Sequence, residues 1–125
     1  MSDERKARDY RDPLVWQKGI SLAKRIYEIT ERFPATERFG LISQMRRCAV
    51  SIPSSIAEGQ GRHTSGEFVQ FISQAEGSAG GLDTQLILSE EFKYCGPAEA
   101  GQLHDMISEI RRILNSLRRK LIARR

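Results

Sequence analysis

Apolar residues return every three or four positions along most of this chain, and that rhythm leaves helices as the only regular structure it can form. Leu103, Ile107, Ile110, Leu114, Leu117 and Leu121 give the cleanest stretch, a stripe along one helical face. Val15, Gly19, Leu22, Ile26, Ile29 and Phe33 repeat the pattern near the N-terminus. Trp16, Ile20, Ala23 and Tyr27 follow it one residue on, which predicts a buried face wider than a coiled-coil seam and suited to a bundle. Asp12 is placed to cap this helix, Pro13 sits where a missing N–H costs nothing, and Pro34 ends it.

A second helix is expected from about Thr36 and Glu37 to Gly59, with Leu41, Met45, Cys48, Ile52 and Ser55 or Ile56 on one face. Pro53 lies inside it and predicts a kink or a local 3₁₀ turn, with small neighbours (Ser51, Ser54, Ser55, Ala57) that let another backbone approach. Thr64 to Glu67 has capping-box spacing and opens a third helix carrying Phe68, Ile72, Ala75, Ala79, Leu82 and Leu86. Gly77, Gly80 and Gly81 each weaken that helix by about 1 kcal/mol relative to alanine, which predicts close helix contact or a local irregularity there. Tyr94-Cys95-Gly96-Pro97 breaks the chain before the last helix.

The resulting expectation is all-α: an up-down-up-down antiparallel four-helix bundle about 30 Å long, filling a single domain over 1–125, with 1–11 a flexible N-terminal segment. At 125 residues, 39% hydrophobic and 29% charged, the chain is too apolar for a disordered one and too interrupted by charge to enter a membrane. Its first twelve residues mix four acidic and four basic side chains without an apolar core, which argues against a secretory signal and points to the cytoplasm. Cys48 and Cys95 lie outside any CxxC, and buried free thiols are expected.

Few residues are arranged for chemistry. A di-metal bundle site needs Glu-x-x-His on two helices, but Gln60 precedes His63 by three and Gly101 precedes His104 by three. Neither a metal nor a cofactor is expected, and no catalytic residue is assigned; His63 is expected to be solvated and His104 to flank the last stripe. Glu58-Gly59-Gln60-Gly61-Arg62 lacks the G-x-G-x-x-G pattern and a Walker lysine, and reads first as a helix-helix turn whose glycines supply positive φ. Arg62 beside the start of the third helix is a candidate anion contact.

The basic C-terminus is the strongest constellation. Arg111, Arg112, Arg118, Arg119, Lys120, Arg124 and Arg125 put +7 on the last fifteen residues, leaving −3 on the rest against a net +4. Arg111, Arg118 and Arg125 recur at sevens, as do Arg112 and Arg119, so they form two ridges beside the apolar seam. Such ridges either bind phosphates or pair with carboxylates on a neighbouring helix or subunit. Arg46 and Arg47 offer a second basic pair, one flanking the seam and one pointing outward. The aromatic residues fall on apolar stripes, which argues against base-specific readout.

Phe39-Gly40-Leu41, Ser43-Gln44, Arg46-Arg47, Ala49-Val50-Ser51-Ile52-Pro53 and Ile56 through Arg62 resemble the signature of bacterial four-helix-bundle proteins encoded in intervening sequences of 23S ribosomal RNA genes. Leu14 to Lys18, Ile26-Tyr27, Glu67-Phe68, Gly77-Ser78 and Thr84-Gln85-Leu86 agree with the same pattern. That family is similar to accessory proteins of diversity-generating retroelements. The resemblance implies a homopentameric ring and, from the retroelement branch, nucleic-acid binding. Cys48, Ser55, Gly81 and Asp83 depart from the usual alanine, asparagine and paired glutamates, which puts any salt bridge from Arg46 or Arg47 to that part of the third helix in doubt.

The functional expectation is a non-catalytic, self-assembling protein that binds nucleic acid, RNA being the favoured ligand and DNA the other candidate, through backbone phosphates, using Arg111, Arg112, Arg118, Arg119 and Lys120 with Arg62, Arg46 and Arg47. The alternative is a structural or adaptor homo-oligomer whose partner is another protein.

Overall fold

The computed structural model describes residues 13–123. The proposed cap Asp12, the segment 1–11, and Arg124 and Arg125 lie outside the described residues. Among the described residues there are four α-helices and no strand: α1 (Pro13–Thr30), α2 (Leu41–Gln60), α3 (Ser65–Glu91) and α4 (Pro97–Ala123), with a 3₁₀ turn at Ala35–Glu37. Helices α1 and α3 each pack on both α2 and α4.

The main stripes meet in one core. Val15, Leu22, Ile26, Ile29 and Phe33 from the α1 stripe are buried against Met45, Ile52 and Ile56 of α2, Phe68 to Leu86 of the α3 stripe, and Leu103 to Leu121 of α4. The second α1 stripe behaves otherwise. Trp16, Ile20 and Tyr27 are exposed and Ala23 is half-buried, because at 100° per residue that row turns beyond the arc that α2 and α4 cover. No helix among the described residues is long and apolar enough to cross a membrane.

Helix α2 begins later than expected. Thr36 and Glu37 belong to the 3₁₀ turn, and Glu37 Oε1 accepts the exposed N–H of Leu41 at 3.1 Å, so a side chain from the preceding turn caps the helix. Gly40 makes room for this, since a Cβ there would stand 2.7 Å from Glu37 Oε1. At the other end α2 runs through Pro53 as unbroken α-helix to Gln60, without the expected 3₁₀ turn. Pro53 is buried, and a Cβ on Gly19 would lie 3.2 Å from its own Cβ, so α1 comes close at that point.

The glycines act through space and not through φ. No described glycine has positive φ, and Gly61 sits at −85°, so the turn after α2 needs no left-handed residue. Gly59 is the tight position: a Cβ there would meet Phe68 Cδ1 at 2.9 Å and Phe71 Cβ at 3.0 Å. The close approach expected at Gly77, Gly80 and Gly81 is not found, since Gly77 faces open space and the other two make ordinary contacts. Thr64 Oγ1 accepts from Glu67 N–H at 3.2 Å and starts α3 as its spacing predicts. Its C-terminus closes by a Schellman pattern, with Tyr94 N–H on Ser89 C=O and Lys93 N–H on Glu90 C=O, both at 2.9 Å. The left-handed position is Lys93, at φ 64°, where glycine is usual.

Candidate nucleic-acid interface

Helix α4 presents its basic residues in two ways. Arg111, Arg112, Arg119 and Lys120 are exposed, and among the described residues no carboxylate forms an ion pair with any of them. Arg111 extends over α3, its Nη2 3.9 Å from where a Cβ of Gly80 would be, so the missing side chain leaves the guanidinium an open shelf. Arg118 is different. Half-buried between the helices, it donates from Nε to Glu76 Oε1 at 2.9 Å and from Nη2 to Asn115 Oδ1 at 2.6 Å. One member of the expected ridge thus pairs with a carboxylate on a neighbouring helix, and four others remain open to solvent.

The remaining sequence-predicted cations are spread over the molecule. Arg46 clamps α2 to the end of α1: Nε donates to Thr30 Oγ1 at 2.9 Å, Nη2 reaches Tyr27 C=O at 3.4 Å and Glu31 Oε1 at 3.3 Å, and the guanidinium lies 4.5 Å from the Tyr27 ring centroid. A cation beside the last carbonyls of α1 also complements the helix dipole. Arg47, next in sequence, points outward and is exposed. Arg62 lies 4.6 Å over the Phe71 ring and 3.9 Å from Glu58 Oε2, which fixes it against α2 and α3.

Several features carry little sequence signal. His104 Nδ1 and Asp83 Oδ1 form a close pair that ties α4 to α3, so Asp83 is engaged away from Arg46 and Arg47. Lys18 Nζ to Glu109 Oε1 at 2.8 Å joins α1 to α4, and Arg32 Nη2 to Glu99 Oε2 at 2.5 Å joins the turn after α1 to the start of α4. The Lys18 ammonium bonded to it holds the Glu109 carboxyl below the usual range. Tyr94 donates its hydroxyl to Glu37 Oε2 at 2.9 Å, and this bond raises its ionisation above the ordinary phenol value. Most unexpected is Phe39, which leaves the apolar stripes altogether and stands 90% exposed beside Arg38.

Among the described residues no three His, Cys, Asp or Glu side chains gather as metal ligands. His63 is exposed. Burial, with Glu99 and Glu90 nearby, pushes the Cys95 thiol up, the reverse of what a thiolate nucleophile requires.

The family model for 23S rRNA-intervening sequence proteins matches residues 11–116. The chain belongs to that family. A solved structure of a protein of unknown function from the S23 ribosomal protein family of Bacteroides thetaiotaomicron is similar in fold, with a TM-score of 0.75 at 22% sequence identity, covering 82% of this chain and 96% of that one. No curated protein matches the chain. The family match spans the sequence motifs read above and all of α1, α2 and α3, while the end of α4, with Arg118, Arg119 and Lys120, lies beyond it.

Proposed function

We propose that this member of the 23S rRNA-intervening sequence protein family is a non-catalytic, self-assembling helical protein that binds nucleic acid, RNA first, through backbone phosphates. The observation that carries it is the row of exposed cations on α4, Arg111, Arg112, Arg119 and Lys120, without ion-pair partners among the described residues. Like charges spread over the solvent side of one helix repel one another, and a polyanion that neutralises them gains affinity by releasing its own counterions.

The fold proposed for it is the up-down-up-down antiparallel bundle. Cross-helix contacts support this, since Gly19 meets Pro53 while Thr30 meets Arg46, and Glu76 meets Arg118 while Asp83 meets His104. In such a square α1 and α3 stand on a diagonal and their outer faces look in opposite directions. Trp16 and Ile20 are exposed side by side on α1, and Ile87 and Leu88 on α3. Two unlike apolar patches on opposite sides favour a head-to-tail contact that closes into a ring, the pentamer implied by the resemblance.

Binding tests this reading. Single-stranded RNA should bind with little sequence preference, and log K should fall with log salt at about 0.7 per phosphate contact. Arg112→Gln with Arg119→Gln should flatten that slope by up to about 1.4, whereas Arg118→Gln should act on folding stability through the lost Glu76 pair. A wild type that binds no polynucleotide at low salt leaves the protein-adaptor reading in its place.

A further inference from the structure

The loop before α2 presents an aromatic ring to solvent, at the border of a groove whose lining residues are cationic or uncharged. Phe39 is 90% exposed, with the Arg38 guanidinium 5.7 Å from its ring centroid. It borders an open groove of about 620 Å³ whose lining includes Tyr27, Ile42, Ser43, Arg46, Arg47 and Val50, with no carboxylate among the lining residues. Glu31 pairs with Arg46 at the edge, so the uncompensated charge comes from Arg38 and Arg47.

The ring is held out by construction. Glu37 anchors the loop twice, through Oε1 on Leu41 N–H at 3.1 Å and Oε2 on the Tyr94 hydroxyl at 2.9 Å. Tyr94 is itself packed on Phe33 with ring centroids 5.3 Å apart, so the anchor reaches the core. Gly40 is the residue type that lets Glu37 reach back over the turn. With its flanks held by these bonds, Phe39 stands in solvent and forgoes the burial free energy that such a side chain gains in a core. That arrangement is a stacking platform: a π-face, two guanidiniums lining the same groove, a second aromatic in Tyr27, and serine hydroxyls to accept from or donate to bases.

We infer that the Phe39 groove, between α1 and α2, binds single-stranded nucleic acid by stacking a base on Phe39 while Arg38 and Arg47 hold the flanking phosphates. A second copy of this chain is the competing occupant, but a polynucleotide supplies phosphates for Arg38 and Arg47 and a π-face for Phe39 together. The inference rests on the nucleic-acid reading above but on other residues, and it adds a base-dependent increment that phosphate binding by α4 cannot produce.

The test compares an oligothymidylate of about twelve nucleotides with an abasic strand of equal length, which has the same phosphates and no bases. The wild type should bind the oligothymidylate more tightly than the abasic strand, by roughly 5- to 150-fold for one stacked base. Phe39→Ala should erase that difference without changing the salt slope, and Phe39→Trp should restore it. Arg38→Gln with Arg47→Gln should lower the slope by up to about 1.4. Arg112→Gln with Arg119→Gln should leave the base-dependent difference intact. Equal binding of both strands overturns the stacking site and leaves the phosphate reading of α4 standing; no binding of either overturns both. A base-dependent difference that survives Phe39→Ala overturns the assignment to Phe39. So does a fall in oligomer mass in Phe39→Ala, which would place a second copy on this face.

Discussion

At the scale of single residues, two positions show how far a residue type can be judged by what it touches. Gly59 lies inside α2, where glycine is a poor helix former, yet Phe68 and Phe71 leave no space for a methyl group. Gly59→Ala should therefore lower stability by about 1–3 kcal/mol through overpacking, even though it raises intrinsic helix propensity, as urea denaturation would read. Gly77, with nothing near it, is the control: Gly77→Ala should stabilise by up to about 1 kcal/mol. Lys93 presents the opposite case. It occupies the left-handed position of a Schellman end at φ 64°, where a Cβ is strained. Lys93→Gly should raise the denaturation midpoint by the equivalent of about 0.5–1 kcal/mol, after the greater freedom of glycine in the unfolded chain is discounted.

At the scale of elements, the sequence displayed the interior better than the exterior. The stripes from Val15 to Phe33, Phe68 to Leu86 and Leu103 to Leu121 are buried as their spacing requires, because periodicity is a direct image of which face meets a core. It says nothing of how far that face extends, so Trp16, Ile20 and Tyr27 were indistinguishable from core until α2 and α4 took their places. The candidate site was legible as charge and not as pairing: Arg118 and Arg119 are adjacent in sequence, and only the position of Glu76 on α3 separates a held guanidinium from an open one. The Phe39 loop was illegible for a similar reason, since its geometry depends on Tyr94, 57 positions away from Glu37. That bond has a pH signature. The Tyr94 hydroxyl donates to a carboxylate, so folding favours its neutral form and raises its ionisation above the ordinary 10.0. The stability it contributes is complete below that ordinary value and is lost as pH rises through the folded one. Tyrosinate absorbance should show one group ionising late in the wild type, and Glu37→Gln should bring it back toward the usual range.

At the scale of the whole molecule, the question is what covers the outer faces of α1 and α3. Scattered exposed apolar side chains need no explanation, but Trp16 and Ile20, one turn apart on one helix, and Ile87 and Leu88 on another form two patches. If one patch seats on the other in the next copy, a charge placed in either should break the same contact. Ile20→Glu and Leu88→Glu should each lower the mass measured by light scattering at micromolar concentration, and the double variant should be no worse than the more severe single one. Helical circular dichroism should persist in all three, because both residues lie outside the core. The sole tryptophan reports the same event from inside the patch: its emission should shift to the red when Ile20→Glu or Leu88→Glu separates the copies. A two-fold contact of α1 with α1 predicts a different pattern, in which Ile20→Glu dissociates the assembly and Leu88→Glu leaves it whole. A wild type that scatters as a monomer would sink both arrangements and leave these patches for another protein.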